Sequence, residues 1–171
     1  MHFRIHSACA ILSPRQVGKM TLAKMFIEHN SPKSFEFFDL ENPLDLARFE
    51  NPMLTLSKLA DKLIIIDEIQ RAPELYPVIR VLIDDKKKNQ KFLILGSASR
   101  DLVRQSSETL AGRIGYIELM PFSLDEVDHD SEMLWLRGGF PLSYLAKSDE
   151  DSFLWRQSYI ATFLERDIPN L

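Results

Sequence analysis

Short runs of apolar residues alternate along this chain with segments whose apolar residues recur at helical spacing. The run Leu63-Ile-Ile-Ile66 is too short for a typical helix and carries no polar residue, which predicts a strand buried on both faces. Strands that are separated by helices form a mostly parallel sheet with helices on its faces. The pattern therefore predicts an α/β fold with five strands, over residues 7–12, 34–40, 62–67, 91–95 and 115–119.

The segments after each strand predict helices over residues 18–30, 43–50, 73–87 and 101–109. Beyond Pro121 the character changes, because only helical patterns follow, around Leu124, residues 134–136 and residues 152–166. A chain of 171 residues is long enough for one domain with an appendage. We therefore predict an α/β core over residues 1–127 and a helical extension over residues 128–171.

Composition excludes several classes of protein. The net charge of -4 supplies no overall basic field for a phosphate backbone, so nucleic-acid binding by this chain alone is not expected. The single cysteine, Cys9, excludes an intramolecular disulfide and predicts a buried thiol in a reducing compartment. No apolar run approaches the ~20 residues that span a membrane, and we expect a cytoplasmic protein.

The segment Ser13-Pro-Arg-Gln-Val-Gly-Lys-Met-Thr21 lies between a predicted strand and a predicted helix. In the phosphate-loop pattern G-x-x-x-x-G-K-[ST], backbone N–H groups wrap the phosphates, the lysine reaches the terminal phosphates, and the hydroxyl binds Mg²⁺. Gly18 and Lys19 match this pattern, whereas Ser13 and Met20 replace its first glycine and its hydroxyl. By itself the string is equally compatible with a strand–turn–helix that carries a surface lysine.

A pair of carboxylates, Asp67 and Glu68, ends the most apolar predicted strand. This arrangement places an Asp next to Mg²⁺ and a Glu where it can orient or deprotonate an attacking water. The carboxyl ends of parallel strands meet at one edge of the sheet, so we expect Lys19 to lie near both carboxylates. The two motifs together favour a nucleotide site over a solvated, structural pair of acids.

A set of further strings keeps a fixed order over nearly the whole chain and resembles the prokaryotic AAA-type ATPases in which a P-loop domain precedes a second domain of unassigned function. The strings are Pro14-Arg-Gln-Val-Gly-Lys19, Asp39-Leu-Glu-Asn-Pro43, Asp67-Glu-Ile-Gln-Arg-Ala-Pro-Glu-Leu75, Leu95-Gly-Ser-Ala-Ser99, Leu110-Ala-Gly-Arg113, Pro121-Phe-Ser-Leu124, Arg137-Gly-Gly-Phe-Pro141 and Phe163-Leu-Glu-Arg-Asp-Ile-Pro169.

The resemblance implies an AAA-type sheet, with the fourth strand between the first and the third, and it implies ATP and Mg²⁺ as cofactors. Lys19 would then hold the terminal phosphates, Asp67 the metal, and Glu68 the attacking water. The residues expected to contact the nucleotide are Pro14, Arg15, Gln16, Val17, Gly18, Lys19, Met20 and Thr21.

Two further catalytic roles follow from the resemblance. A polar residue after the fourth strand would sense the terminal phosphate, and Ser97 or Ser99 is the candidate. Arg113 stands where an arginine completes a site, in the same chain or in a neighbouring one, but a structural ion pair is an equal alternative.

The departures from the pattern affect catalysis more than binding. Met20 offers a thioether where Mg²⁺ requires a hard oxygen ligand, and the side chain of Thr21 is rotated by about 100° along the helix. Ser13 would cost on the order of 1–2 kcal/mol if the loop required a left-handed backbone there. We expect ATP binding with weak or absent hydrolysis; the alternative is a non-catalytic interaction module that retains the fold as a truncated remnant.

The last predicted helix carries an apolar stripe that requires a cover, formed by Trp155, Tyr159, Ile160, Phe163 and Leu164. Members of the resembled family continue into a second domain where this chain stops. The sequence therefore predicts self-association or a protein partner through this helix. Trp135 and Trp155 are expected in a core or an interface.

Overall fold

The computed structural model describes residues 2–30, 34–85, 89–97 and 100–163. It divides into two compact units, of which the first contains Met1–Arg15 and Lys19–Leu119 and the second contains Gln16–Gly18 and Met120–Leu171.

The first unit contains a parallel sheet that confirms the predicted α/β fold. Its strands stand in the order β2-β3-β4-β1-β5, so β4 lies between β1 and β3 as expected. Every strand begins within two residues of its predicted start, because continuous burial marks each one in the sequence. The strands are β1 (Ala8–Ser13), β2 (Phe35–Asp39), β3 (Leu63–Asp67), β4 (Lys91–Ser97) and β5 (Ile114–Glu118).

The helices of this unit agree with the predicted ones except at three places. The helices predicted over residues 43–50 and 73–87 are shorter, and α3, a six-residue helix that begins at Pro52, was not predicted. The side chain of Asn51 caps α3 by accepting a hydrogen bond from the Leu54 amide, a signal too local to show as periodicity. The helices are α1 (Lys19–Asn30), α2 (Pro43–Ala47), α3 (Pro52–Ser57), α4 (Leu75–Asp84) and α5 (Arg100–Thr109), with 3₁₀ turns at His2–Arg4 and Ile69–Arg71.

The strand order decides which face each helix covers. The connection from β1 to β2 runs toward one edge of the sheet, whereas the connections β2 to β3, β3 to β4 and β4 to β5 all run the opposite way. Since crossovers between parallel strands are right-handed, α1 lies on one face and α2 to α5 lie on the other. We call these the α1 face and the α4 face.

Alternate residues of each strand pack on the two faces. On the α4 face, Phe38, Ile66 and Phe92 join a large buried cluster with Leu56 and Ile79 of the helices. The cluster on the α1 face is smaller: besides the strands, its described side chains come from α1 and from Phe3. Cys9 belongs to this cluster and is fully buried, which confirms the predicted buried thiol.

The second unit is helical, with a 3₁₀ turn at Leu124–Val127 followed by α6 (Ser131–Arg137), α7 (Pro141–Tyr144) and α8 (Asp149–Thr162). A buried polar cluster joins α7 to α8, because the hydroxyls of Ser143 and Ser152 lie 2.8 Å apart and Arg156 donates to both. Phe140, Trp155 and Tyr159 form a stack of rings beside it.

Trp135 is 92% exposed, so it does not lie in the core of this chain, and its placement in an interface stays a prediction. Leu164, which the predicted apolar stripe includes, lies outside the described residues. In the part of the chain that is described, no helix combines the length and the apolar character needed to cross a membrane.

Candidate functional site

The loop between β1 and α1 begins at a buried residue and contains two left-handed backbone positions. Ser13 is fully buried, extends β1 and pairs with Ser97 of β4. Positive φ angles occur instead at Gln16 (61°) and Gly18 (96°). The condition under which Ser13 would be strained is therefore not met, and the non-glycine residue that adopts the left-handed region in this loop is Gln16.

Lys19 is the first residue of α1, and its side chain is withdrawn from solvent. Its residue is only 9% exposed, and Nζ donates a hydrogen bond to the Pro14 carbonyl oxygen at 3.3 Å. Burial lowers the pKa of the ammonium, and the nearby carboxylates of Glu68 and Asp67 oppose this shift. Lys19 is thus a largely desolvated cation beside two acids, as the sequence predicts.

Asp67 ends β3 at the carboxyl edge of the sheet. Burial is the main reason that its pKa is raised to about 6, with Glu68 as the second cause. Oδ1 of Asp67 accepts the Glu68 amide at 2.9 Å, which favours the charged form. Asp39 of β2 is the register partner of Asp67 and also raises its pKa.

Glu68 follows Asp67 in a left-handed conformation, with φ 55° and ψ 44°. Its Oε2 accepts a hydrogen bond from Nε2 of Gln70, two residues further along the chain. Oε1 of Gln70 is buried and has no partner among the described residues. The amide of Gln70 is thus a neighbour of the Glu68 carboxylate.

The position that carries a hydroxyl in the phosphate-loop pattern has a different environment in this chain. Met20 is half-buried and lines a groove of about 480 Å³ on the α1 face, together with Ile27, Phe37 and Ile65. Thr21, one residue later, is exposed. Asp67 offers hard carboxylate oxygen atoms of the kind that Mg²⁺ binds, whereas Met20 offers a thioether sulfur at this loop position.

Arg113 lies far from these residues. It directly precedes β5, whose first residue, Ile114, pairs with Ala8 at the start of β1. Five strand residues at about 3.3 Å each separate that edge from Ser13, so Arg113 is at the opposite edge of the sheet. Its Nε and Nη2 donate to the carboxylate of Asp84 at 2.6 and 2.9 Å. A role for Arg113 in the site of its own chain is therefore wrong.

The remaining sequence-predicted residues lie as follows. Ser97 ends β4 next to Ser13, at the same edge as Asp67, whereas Ser99 lies outside the described residues. Pro14 and Arg15 are half-buried, Gln16 is exposed and Val17 is buried.

Sequence reasoning assigned no role to two residues of this edge. Asp39 was detectable, because it lies one residue before the end of a predicted strand, as a carboxylate near the same edge as Asp67. Gln70 was not, since its contact depends on the left-handed turn at Glu68, which no residue type in the segment requires. The described residues contain no cluster of three metal-ligating side chains.

A phosphate-type loop between a buried parallel strand and a helix, with a desolvated lysine beside two strand-end carboxylates, defines the P-loop nucleotide-binding class. A family model described as an AAA domain matches residues 6–128, and the chain belongs to this family. A second model, described as a domain of unknown function, matches residues 128–171.

The chain is also similar to longer proteins. Uncharacterized proteins of Mycobacterium tuberculosis and Mycobacterium bovis are each 49% identical to it over 170 residues, which is 98% of this chain and 38% of the relative. The chain thus spans less than two-fifths of the length of these relatives. A solved structure described as the P-loop NTPase domain of the sigma-54 transport activator from E. coli aligns over 68% of this chain and 84% of its own, with 13% identity and a TM-score of 0.47.

Proposed function

We propose that this chain is the ATP-binding domain of an AAA-type ATPase and that its hydrolysis is weak or absent. The observation that carries the proposal is Lys19, a largely buried ammonium that donates to the Pro14 carbonyl oxygen and interacts with the carboxylates of Asp67 and Glu68. Burial makes the Lys19 ammonium a poorly hydrated cation, and the phosphate oxygens of a triphosphate are acceptors for charge-assisted hydrogen bonds at this position. The family match over residues 6–128 supports the same function.

Different residues of this chain contact different parts of the bound ATP. Lys19 leaves the Pro14 carbonyl and contacts the terminal phosphates, while the backbone N–H groups around Gly18 surround them. Glu68, held by Gln70, orients a water molecule, and Ser97 contacts the terminal phosphate from β4. Bound ATP supplies the phosphoryl group for transfer to that water. Because Met20 contributes no oxygen ligand, no step is assigned to Mg²⁺.

The proposal also covers association between copies. Arg113 lies at an edge of the sheet where it is available to a neighbouring chain once its ion pair with Asp84 opens, and it completes that neighbour's site. Self-association is proposed to involve α8, which exposes several large apolar side chains. We assign residues 1–127 to the ATPase core and residues 128–171 to a helical extension.

Calorimetric titration with ATP tests the proposal. We expect binding that is lost in Lys19→Ala and that changes little between Mg²⁺ and EDTA. A Met20→Thr variant restores the missing oxygen ligand, and its Mg²⁺-dependent turnover should exceed that of the natural chain by roughly 10²–10³-fold. Met25→Thr, an exposed change on the same helix, is the matched control and should leave turnover unchanged.

The alternative function is a non-catalytic interaction module that retains the fold. It predicts no ATP binding in either Mg²⁺ or EDTA and no gain in Met20→Thr. The position of Met20 in an apolar groove is the observation that favours it.

A further inference from the structure

The outer edge of β2 carries backbone groups that point away from the sheet. β2 lies at one end of the strand order and pairs only with β3. The Leu63 amide donates to the Ser34 carbonyl oxygen, and the Leu40 amide donates to the Asp67 carbonyl oxygen, each at 3.2 Å. In a parallel pair the backbone groups of alternate residues face the same neighbour. The even-numbered residues of β2 therefore bond to β3, and the backbone groups of residues 35, 37 and 39 face the open side.

The open part of this edge consists of Phe35 and Phe37. At Asp39 the chain satisfies its own outward groups, because the amide donates to Oδ2 of Asp45 and the carbonyl oxygen accepts the Asn42 amide, both at 3.0 Å. Among the residues that the structure describes, none forms a hydrogen bond with the backbone N–H or C=O of Phe35 or Phe37. Each of these two residues thus presents one donor and one acceptor to a partner.

The side chains beside this open edge differ between the two faces of the sheet. On the α1 face, Phe35 is 46% exposed and lines the apolar groove together with Phe37. On the α4 face, Glu36 accepts a hydrogen bond from Arg48 at 2.8 Å and lies 3.5 Å from Nζ of Lys62. A strand placed beside β2 would therefore meet apolar side chains on one face and charged ones on the other.

The edge of β2 also lacks the usual protection against pairing. Proteins protect an exposed edge strand with proline, lysine or a bulge. The segment Phe35–Asp39 contains neither residue type, and its register with β3 is continuous. The other edge strand, β5, is better covered, because Ile114 is buried and the Tyr116 hydroxyl lies 2.8 Å from that of Ser106 in α5.

We infer that the open edge of β2 binds an extended segment of another protein, in which apolar and polar residues alternate, as an added strand. This surface goes beyond the proposed function, because none of its hydrogen bonds involves the nucleotide site. The apolar residues of the segment pack on Phe35, Phe37 and the groove, and the polar residues between them lie beside Glu36. Lys24 and Glu28, the two charged residues of the groove, have opposite signs, so the apolar positions require no charge.

The added strand runs antiparallel to β2, since antiparallel pairs are slightly more stable than parallel ones. Two apolar residues of the segment then lie opposite Phe35 and Phe37 and exchange both backbone hydrogen bonds with them. Residues that are opposite each other share a face, so these two side chains reach the α1 face. A second copy of β2 fits this edge less well, because the same pairing places Glu36 opposite its own counterpart, and like charges directly opposite are destabilising.

Titration of the full chain with a synthetic peptide tests the inference. The probe is a capped peptide in which three threonines alternate with two valines between terminal lysines. Amide NMR spectra should show shifts at Phe35 and Phe37, and hydrogen exchange of both amides should become slower. The matched controls are the same peptide with both valines N-methylated and the same peptide with two threonines N-methylated.

N-methylation removes an N–H group and keeps the side chain, so it separates strand pairing from apolar contact. The N-methylvaline peptide should bind roughly tenfold more weakly or worse, because it loses two hydrogen bonds to β2. The N-methylthreonine peptide should bind like the parent, because those amides face solvent. The reverse order would show that the strand adds in the parallel direction, which supports the same edge as the site.

A matched pair of variants tests the same hydrogen bonds from the side of the protein. Phe35→Pro and Phe35→Val both remove the ring, but only proline removes the outward N–H group. Proline is tolerated at the first residue of an edge strand. The proline variant should bind the peptide several-fold more weakly than the valine variant. Circular dichroism and thermal unfolding establish that both are folded, and if the proline variant is not, the N-methylated peptides on the natural chain decide.

Several results would overturn the inference. If both N-methylated peptides bind as well as the parent, the groove binds side chains without strand pairing. Shifts confined to residues other than Phe35 and Phe37, or no binding at millimolar peptide, would show that this edge is not the site. If the two amides are protected in the free chain and lose protection on dilution, the occupant is a second copy.

Discussion

The α4 face and the α1 face are formed by the same strands but differ in how well they are covered. Three connections bring helices to the α4 face and one brings a helix to the α1 face, because right-handed crossovers follow the direction of travel across the sheet. The result is a continuous core on one side and a half-open groove on the other. Strand order alone thus decides where this fold leaves apolar surface for contacts.

The largest expected difference in the free energy of unfolding is between substitutions of two adjacent phenylalanines of β2. Phe38 is fully buried on the α4 face, with its ring 4.8 Å from that of Phe49, whereas Phe37 is half-buried beside the groove. Phe38→Ala should lower the free energy of unfolding by about 3–5 kcal/mol, and Phe37→Ala by about half as much or less. Urea denaturation measures both, and equal losses would contradict the difference in coverage.

A smaller change in the free energy of unfolding is expected from Asp67, at the carboxyl ends of the strands. The folded-state pKa of Asp67 is raised to about 6, so ionisation of this carboxyl destabilises the folded chain as pH rises from about 4 through 6. In EDTA, Asp67→Asn should therefore stabilise the chain at pH 8 by on the order of 1 kcal/mol, after allowance for partial exposure. The gain should vanish near pH 4.

Thermal unfolding of both chains at several pH values measures this difference. Asparagine keeps the oxygen that accepts the Glu68 amide, so the comparison isolates the charge. A constant difference from pH 4 to pH 8 would show that Asp67 is not destabilised by burial.

The smallest change in stability is expected from Arg113, which lies where β5 begins. Arg113→Ala removes the two hydrogen bonds to Asp84 that join the end of α4 to the start of β5. Both side chains are exposed, so solvent and salt screen the pair, and the denaturation midpoint should hardly change. A large loss of stability in 1 M salt would mean that Arg113 stabilises the packing beneath it rather than a surface ion pair.

Local signals in the sequence were sufficient for the strands and for the carboxyl edge of the sheet. Leu63 to Ile66 is apolar at every position because both faces are covered, and that alone indicates an interior strand. The proximity of Lys19 and Asp67 could be predicted because the carboxyl ends of parallel strands lie at the same edge of a sheet. These are properties of single segments.

Properties that depend on the arrangement of several segments could not be predicted from the sequence. The groove that contains Met20 depends on the order of the strands and on the hand of their connections. The distance of Arg113 from the loop depends on the register between β1 and β5, which places Ile114 opposite Ala8. Helix α3 shows no helical period in six residues, but Asn51-Pro52 is the same start signal as Asn42-Pro43 of α2, so this helix was detectable from its cap.

Because Cys9 is fully buried, its reaction with a thiol reagent reports the opening of the sheet. It is the single cysteine of the chain, lies in β1 between two neighbouring strands, and burial raises its pKa to about 11. A thiol reagent reaches Cys9 only after β1 is exposed, because the folded chain keeps the reagent out. Burial also keeps the thiol protonated, and the thiolate is the reactive form. The labelling rate of the natural chain therefore measures how often the centre of the sheet opens, without an added probe.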